Sequence, residues 1–174
     1  MATHPTPELS AELGKRIRLV RRDLSNLLFH FTRNILPRNI EIKFDERHTM
    51  GMSGSAYGVL RKILYDRQLI GSSHWTYGYN AICFSEGPIQ ELHSVFSLVS
   101  IAASKEQRPR YEPWGVAVNK NWFFQQGGRP VIYDHPDAFE QHAEPQRYRF
   151  VPYDPSAGVD FTWEREWRGR WRCR

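Results

Sequence analysis

The residues best suited to chemistry lie near the end of the chain, in segment 160–168, which reads DFTWEREWR. If this segment is a β-strand, alternation of side chains places Glu164, Glu166 and Arg168 on one face. Two carboxylates so close together repel each other unless a cation, a ligand or a proton offsets their charge. Such a face can serve catalysis, but an ordinary solvated strand has the same pattern.

The opposite face of the same predicted strand carries Trp163, Arg165 and Trp167. The chain has six tryptophans, and aromatic residues make up 14% of it. Aromatic side chains bury large areas and also stack on planar ligands such as nucleobases or nicotinamide. The tryptophans are therefore predicted to pack on one side of the strand while the carboxylates face the other.

Further polar candidates lie early in the chain, where Leu27 to Thr32 is a predicted strand. Its alternation puts His30 and Thr32 on one face, with two hydrogen-bond donors side by side. A single histidine between two phenylalanines is more often a hydrogen-bonded core residue than a catalytic one. Both interpretations of His30 remain open from the residues alone.

Three more candidates flank predicted strands in the middle of the chain. Ser85 ends an apolar strand just before a Glu-Gly-Pro turn, where polar residues are common. Arg129 follows a Gly-Gly pair and could meet a phosphate or a carboxylate of the last strand, and Tyr133 ends the same strand. The chain has no phosphate-binding loop, dinucleotide fingerprint, zinc pattern or recognisable catalytic triad, so no metal site is predicted.

Composition narrows the class of protein. The length of 174 residues fits one domain, and the formal charge of +5, carried mostly by arginine, allows a polyanionic partner or a dinucleotide. Two cysteines do not make a disulfide framework. The polar start and the lack of a long apolar run predict a cytoplasmic protein without membrane contact.

The elements that must position these residues follow from periodicity. Residues 1–26 are predicted to form a tail and a basic amphipathic helix that starts at Glu8, and residues 27–174 to form an α+β domain. Further helices are predicted at 56–66, 89–103 and 119–126, and a loop or weak hairpin at 37–54. Strands are predicted at 27–32, 81–85, 115–118, 129–133, 148–153 and 161–167. The expected fold is a central, mostly antiparallel sheet with flanking helices, built from the strands of His30, Cys83, Val116, Ile132 and Glu166.

Several motifs together resemble a bacterial family related to the abortive-phage-resistance AbiGi proteins. They include HFT at residue 30, ICFSEGP at residue 82, GGRPVIY at residue 127 and the closing DFTWEREWR. The resemblance covers roughly residues 27–168. It implies a role in phage defence or in a toxin–antitoxin system, with a toxin or antitoxin as partner.

The order of His-x-Thr, then an arginine or tyrosine on a middle strand, then a glutamate on a late strand is also similar to the ADP-ribosyltransferase superfamily, including DarT-like toxins that modify DNA. This resemblance implies an ADP-ribosyltransferase-like fold, with NAD as substrate and a nucleic acid or protein as acceptor. His30 and Thr32 would contact the ribose, and Glu166 or Glu164 would be the catalytic carboxylate. The remaining cofactor contacts would come from Ser85, Arg129, Tyr133 and Arg168.

The alternative to an enzyme is a non-catalytic antitoxin or a module that binds nucleic acid or protein. In that case Glu164 and Glu166 pair with nearby arginines, and the basic helix meets a partner. One observation separates the two hypotheses. A pocket that holds His30 and Glu166 together favours the enzyme, whereas wide separation favours the binding protein.

Overall fold

The computed structural model describes residues 12–17, 25–33, 55–87 and 112–170. The strands are β1 (Leu27–Phe31), β2 (Ile82–Ser85), β3 (Gly115–Asn119), β4 (Arg129–Pro130), β5 (Ile132–Asp134), β6 (Phe150–Pro152) and β7 (Glu166–Gly169). The helices are α1 (Ala56–Asp66) and α2 (Lys120–Gln125), together with 3-10 turns at Pro136–Gln141, Glu144–Arg149, Pro155–Ala157 and Thr162–Glu164. Residues 12–17 are also helical.

Five strands form one sheet in the order β3-β1-β2-β7-β4, and every neighbouring pair in it is antiparallel. A second, two-stranded sheet pairs β5 with β6 in parallel. The predicted mixture of helix and mostly antiparallel sheet is therefore confirmed. Within the described residues, no helix is long and apolar enough to cross a bilayer.

One strand predicted for the central sheet lies elsewhere. The run 129–133 splits after Pro130, and Ile132 pairs with Phe150 in the second sheet. Val131 still donates its N–H to the carbonyl of Glu166, at 3.0 Å, before the chain leaves β7. Alternation along one strand does not show a change of partner strand. The sequence pattern therefore did not predict this break.

The hydrophobic core lies on one face of the five-stranded sheet. Leu28, Ile82 and Phe84 point to that face and pack with Leu69 and Phe123. Phe123 comes from α2 and places its ring centroid 4.6 Å from that of Phe84. The helix therefore closes the core over the middle of the sheet.

Helix α1 begins where the sequence predicted, at Ala56, and α2 begins one residue later than predicted, at Lys120. Ser55 caps α1 by accepting a hydrogen bond from the N–H of Gly58, and Arg67 ends it in a left-handed conformation. Asn119 caps α2 in the same manner, accepting from the N–H groups of Asn121 and Trp122. Side-chain caps of this kind satisfy the free N–H groups of a first helical turn and fix where it begins.

Other predicted segments agree less closely or cannot be compared. Of the N-terminal helix, residues 12–17 are helical, and residues 25–26 are not. The predicted helix at 89–103 and the loop at 37–54 lie outside the described residues. The strand predicted at 148–153 is shortened to β6, because residues 144–149 form a 3-10 turn.

Candidate functional site

The final strand begins later than the sequence predicted, at Glu166. Residues Thr162–Glu164 form a 3-10 turn, and Arg165 takes a left-handed backbone conformation with φ of 45°. Asp160 starts this turn by accepting hydrogen bonds from the N–H and hydroxyl of Thr162, at 2.8 and 2.6 Å. The local hydrogen bonds compete with an extended chain, so Glu164 and Glu166 do not share a strand face.

The prediction that both tryptophans pack on one side of this strand is also wrong, for the same reason. Trp163 lies in the 3-10 turn and is exposed. Trp167 lies in β7, packs against the core cluster and donates its indole N–H to a carboxylate oxygen of Glu86, at 2.9 Å. Only Trp167 has the core position that alternation predicted.

Glu166 and Arg168 do share a face, and they form a buried ion pair. Arg168 is 4% exposed and donates from Nε and Nη2 to the two carboxylate oxygens of Glu166, at 2.8 and 3.0 Å. Its Nη1 donates to the carbonyls of Tyr148 and Phe150, at 3.0 and 2.9 Å. Burial alone lowers the pKa of Arg168, but the charge of Glu166 raises it overall. The hydrogen bonds of this guanidinium are therefore made to groups of the protein itself.

Ser85 and Tyr133 meet Glu166 at the start of β7. Ser85 lies opposite Glu166 and donates its hydroxyl to the carbonyl of Glu164, at 2.6 Å. The Tyr133 hydroxyl donates to the carbonyl of Phe161 and accepts from the N–H of Glu166. Burial raises the pKa of Tyr133 to about 12, so this phenol stays protonated at neutral pH.

A cavity of about 220 Å³ opens beside these residues. Its wall combines apolar and charged side chains: Glu86, Pro130, Val131, Tyr133, Arg165, Glu166 and Trp167. Glu86 also forms an ion pair with Lys120, in which both side chains are largely buried. Both glutamates that line the cavity thus form an ion pair, Glu86 with Lys120 and Glu166 with Arg168.

The sequence named Glu86 only as part of an ambiguous strand end, and it missed Lys120. Lys120 is 34 residues away from Glu86 in the chain, and no local pattern links the two. Their pairing depends on α2 following directly after β3, which places the start of the helix beside the end of β2.

His30 and Thr32 lie on the other side of the sheet. Phe29, Ser85 and Glu166 are directly opposite one another across three strands and therefore share a face. His30, the next residue along β1, points to the core face, where its ring lies 5.5 Å from that of Phe84. The structure thus brings Glu166, Tyr133 and Ser85 together and separates them from His30.

Three residues that were predicted to belong to the site are taken up by the protein's own structure. Thr32 is 2% exposed and donates its hydroxyl to the carbonyls of Ala56 and Trp114, at 2.7 and 3.1 Å. Arg129 donates to the carbonyls of Phe124 in α2 and of Gly128 after it, and its guanidinium lies 4.0 Å from the Phe124 ring centroid. Glu164, the last residue of the 3-10 turn, is buried.

We expect His30 to make folding stability depend on pH. Burial lowers the pKa of His30, although its hydrogen bond from Nδ1 to the carbonyl of Cys83, 2.8 Å long, opposes this. The unfolded chain therefore binds the proton more readily, and stability falls as pH drops below about 6.5, by at most about 1.4 kcal/mol per pH unit. Above that pH the contribution is constant.

Urea unfolding of wild type and His30→Asn from pH 5 to 7.5 tests this expectation. Asparagine can donate a similar hydrogen bond to Cys83 but has no proton to gain in this range. The variant should show a shallower loss of stability at low pH. Identical pH slopes for the two proteins would contradict the assignment.

A second surface feature was absent from the predicted site. The loop between α1 and β2 exposes Trp75 and Tyr77, which are 67% and 48% accessible. The guanidinium of Arg170 lies 5.5 Å from the ring centroid of Tyr79 and 5.7 Å from that of Tyr148. We call these five residues the aromatic–arginine surface.

The tyrosines of this loop are anchored on the segment that precedes β6. Tyr77 has φ of 52°, and its ring stacks on Phe139 with 4.4 Å between centroids and 20° between planes. The guanidinium of Arg147 lies over the ring of Phe139, 5.4 Å from its centroid. These contacts fix the position of the Tyr77 ring on the segment that precedes β6.

Comparison of the chain with protein-family models, curated proteins and solved structures gives no match. In the part of the chain that the structure describes, no group of three or more His, Cys, Asp or Glu side chains could hold a metal ion. The cavity and the aromatic–arginine surface are the two candidate binding features of the described residues.

Proposed function

We propose that this protein is a nucleic-acid-binding module that holds a single strand on the aromatic–arginine surface. The observation that carries the proposal is the position of Arg170 over the rings of Tyr79 and Tyr148, together with the exposed Trp75 and Tyr77 in the same loop as Tyr79. Exposed rings stack on unpaired bases, and each such contact contributes about 1–3 kcal/mol to binding. A guanidinium held against aromatic rings contacts phosphate while its direction is fixed.

Charge supports the same proposal. The chain carries a formal charge of +5, so a polyanion is attracted and a free cation is not. A single strand is favoured over a duplex because a duplex hides the faces of its bases. The phage-defence or toxin–antitoxin role implied by the sequence resemblance is compatible with such a module and stays a prediction.

Fluorescence anisotropy with short labelled DNA and RNA single strands tests the proposal. We expect Trp75→Ala to weaken binding by about 5- to 100-fold, since one stacking platform is lost. Arg170→Gln should weaken binding and reduce the slope of log affinity against log salt by about one, because one phosphate contact is lost. Both variants change exposed side chains, so folding should be preserved.

Matched controls come from the exposed side of α1. Tyr65→Ala removes an exposed ring, and Arg61→Gln removes an exposed guanidinium, away from the proposed surface. Their affinities should stay within about twofold of wild type, as is usual for a residue without contact to the ligand. Equal losses in control and test variants, or no binding at low salt, would rule the proposal out.

A second candidate is the NAD-dependent ADP-ribosyltransferase implied by the sequence resemblance. One arrangement favours it: Ser85, Tyr133 and Glu166 meet at the start of β7, beside a cavity. Two arrangements favour the binding module instead. His30 lies on the other face of the sheet, and Arg168 is hydrogen-bonded to Glu166 and to backbone carbonyls. Incubation with labelled NAD and both DNA and RNA decides, because only the enzyme releases nicotinamide and labels an acceptor.

A further inference from the structure

We infer that β3, the open edge of the five-stranded sheet, pairs with the same strand of a second copy of this chain. The sheet has two edge strands, β3 and β4, and they differ in how well they are protected. An exposed edge strand carries unpaired N–H and C=O groups to which another strand can be added. The inference concerns association of the protein with itself and does not rest on the proposed binding of nucleic acid.

The edge at β4 is blocked. This strand has only two residues, Arg129 and Pro130, and proline has no N–H to offer to a neighbouring strand. The carbonyl of Pro130 accepts a hydrogen bond from Nε of Arg149, at 2.9 Å. A short strand, a proline and a charged side chain across the edge are features that keep a sheet from pairing with another chain.

The edge at β3 has none of these features. Its sequence, GVAVN, contains no proline and no charged residue. Gly115, Ala117 and Asn119 are exposed, and at Gly115 the exposed surface is that of the backbone itself. In the part of the chain that the structure describes, β1 is the one strand that pairs with β3. One edge of the sheet is therefore blocked and the other is open.

The hydrogen bonds at the two ends of the β1–β3 pair show which groups of β3 point outwards. At one end, Thr32 donates its N–H to the carbonyl of Trp114, at 2.8 Å. At the other end, Lys120 donates to the carbonyl of Asn26, also at 2.8 Å. Bonded pairs recur at every second residue of an antiparallel ladder, so the even-numbered residues of β3 bond to β1. The N–H groups that point away from the sheet belong to the odd-numbered residues Gly115, Ala117 and Asn119.

These outward groups fit a second copy related by a twofold axis. With Ala117 of one copy opposite Ala117 of the other, each donates its N–H to the carbonyl of the other, and Asn119 donates to Gly115. About four hydrogen bonds then join the two sheets into one. A twofold contact uses the same surface on both copies and closes on itself, so it gives a dimer and not a filament.

Exposed aromatic rings lie at both ends of this pairing. Because α2 follows directly after Asn119, it begins beside Gly115 of the other copy, next to Trp114. Trp114 is 42% exposed, and Trp122 in the first turn of α2 is 37% exposed. Aromatic side chains contribute large areas to an interface. The paired edge is nevertheless short, so the interface lies below about 1,200 Å² and the dissociation constant is expected in the micromolar range.

Sedimentation equilibrium of the whole chain without nucleic acid, from about 1 to about 500 µM, measures this association. We expect a monomer–dimer equilibrium that tightens as salt is raised. Two copies with a formal charge of +5 each repel one another, and salt screens this repulsion. Binding of nucleic acid has the opposite salt dependence, so the two kinds of association are distinguished by one titration.

The outward N–H of Ala117 gives the sharpest test. Ala117→Pro removes this N–H and leaves the hydrogen bonds between β3 and β1 in place, because Ala117 lies opposite Phe29 in a non-bonded pair. Dimerisation should weaken at least about tenfold, since two hydrogen bonds per dimer are lost. Ala117→Thr keeps the N–H and suits a strand, so its dimerisation should stay within about threefold of wild type. Thermal unfolding checks that both variants are folded.

A pair of charged variants tests the twofold register. Ala117→Lys and Ala117→Glu each place like charges opposite one another in the dimer, so each should self-associate about 2- to 5-fold more weakly than wild type. An equal mixture of the two should associate at least as tightly as wild type, because the charges are then opposite. Ala157→Lys adds a charge at an exposed turn outside β3 and should leave association unchanged.

Three results overturn the inference: a monomer at every concentration, equal dimerisation of wild type and Ala117→Pro, or a charged mixture no tighter than its two components. If Ala117→Pro does not fold, the charged pair decides. A monomeric protein that binds an added strand-forming peptide at β3 would assign this edge to a different partner, and the second copy would be wrong. Trp75→Ala should leave dimerisation unchanged, so this inference and the proposed function fail separately.

Discussion

We expect Glu166→Gln to destabilise the folded protein by about 3–5 kcal/mol, whatever it does to function. The substitution removes the negative charge that faces Arg168, whose guanidinium is 4% exposed and held by four hydrogen bonds. A buried cation without its partner charge has lost most of its compensation for leaving water. Urea or thermal unfolding of wild type and variant measures the difference.

A double variant shows whether the effect belongs to the pair. Glu166→Leu combined with Arg168→Met removes both charges, so no buried ion is left uncompensated. The two single substitutions should each cost more than half of what the double costs, with an interaction energy of about 1–3 kcal/mol. The double variant will not regain full stability, because the carbonyls of Tyr148 and Phe150 lose their donor.

An exposed ion pair is the appropriate control. Lys62 and Asp66 on α1 approach to 2.7 Å, with both side chains accessible to solvent. Asp66→Asn should cost less than about 0.5 kcal/mol, since surface pairs contribute little. If Glu166→Gln were as mild as this control, the pair with Arg168 would not be structural.

This expectation bears directly on the candidate function. Glu166 is the carboxylate to which the sequence resemblance assigns catalysis, so a loss of activity in Glu166→Gln is ambiguous by itself. Unfolding measurements must accompany any turnover assay of that variant. A folded, inactive variant would support catalysis, whereas a variant that is inactive because it is unfolded would not.

The sequence predicted elements well where local signals are strong. Ser55 and Arg67 mark the two ends of α1, and its bounds were predicted correctly at Ala56 and Asp66. Strands β1, β2 and β3 were also placed to within one residue at each end. In each case a helix cap or a short apolar run specifies the element without help from distant parts of the chain.

The site was harder to predict because it depends on how strands are paired. Alternation tells which residues share a face of one strand, so His30 with Thr32 and Glu166 with Arg168 were each grouped correctly. It does not tell which face of β1 lies beside which face of β2. The register in which Phe29 meets Ser85 decides this, and it puts His30 and Glu166 on opposite faces.

Local turn chemistry caused the other error at the site. The segment 160–167 contains tryptophans, threonine and phenylalanine, all of which favour strands. Asp160 nevertheless captures the N–H and hydroxyl of Thr162, and Arg165 adopts a left-handed conformation that ends the turn. Aspartate two residues before a threonine was the signal for a turn, and strand propensity outweighed it in the prediction.

The second large effect is expected at the helix that closes the core. Phe123→Ala should destabilise the protein by about 3–5 kcal/mol, because this ring is almost fully buried and packs on Phe84 at 4.6 Å between centroids. The lost ring leaves a cavity between α2 and the sheet that rigid strands cannot close. Thermal or urea unfolding again provides the measurement.

The backbone at Gly128 supplies an independent check on the same packing. A Cβ added there would overlap the ring of Phe123 and approach its carbonyl oxygen to 2.8 Å. Gly128→Ala should therefore cost about 1–3 kcal/mol as overpacking in the wild type. Because most of this overlap is with the ring, the cost should shrink in a Phe123→Ala background.

Gly14→Ala, whose added methyl group meets nothing within 4 Å, is the steric control. Additive losses in the Gly128 and Phe123 double variant would show that α2 does not close the core in this way.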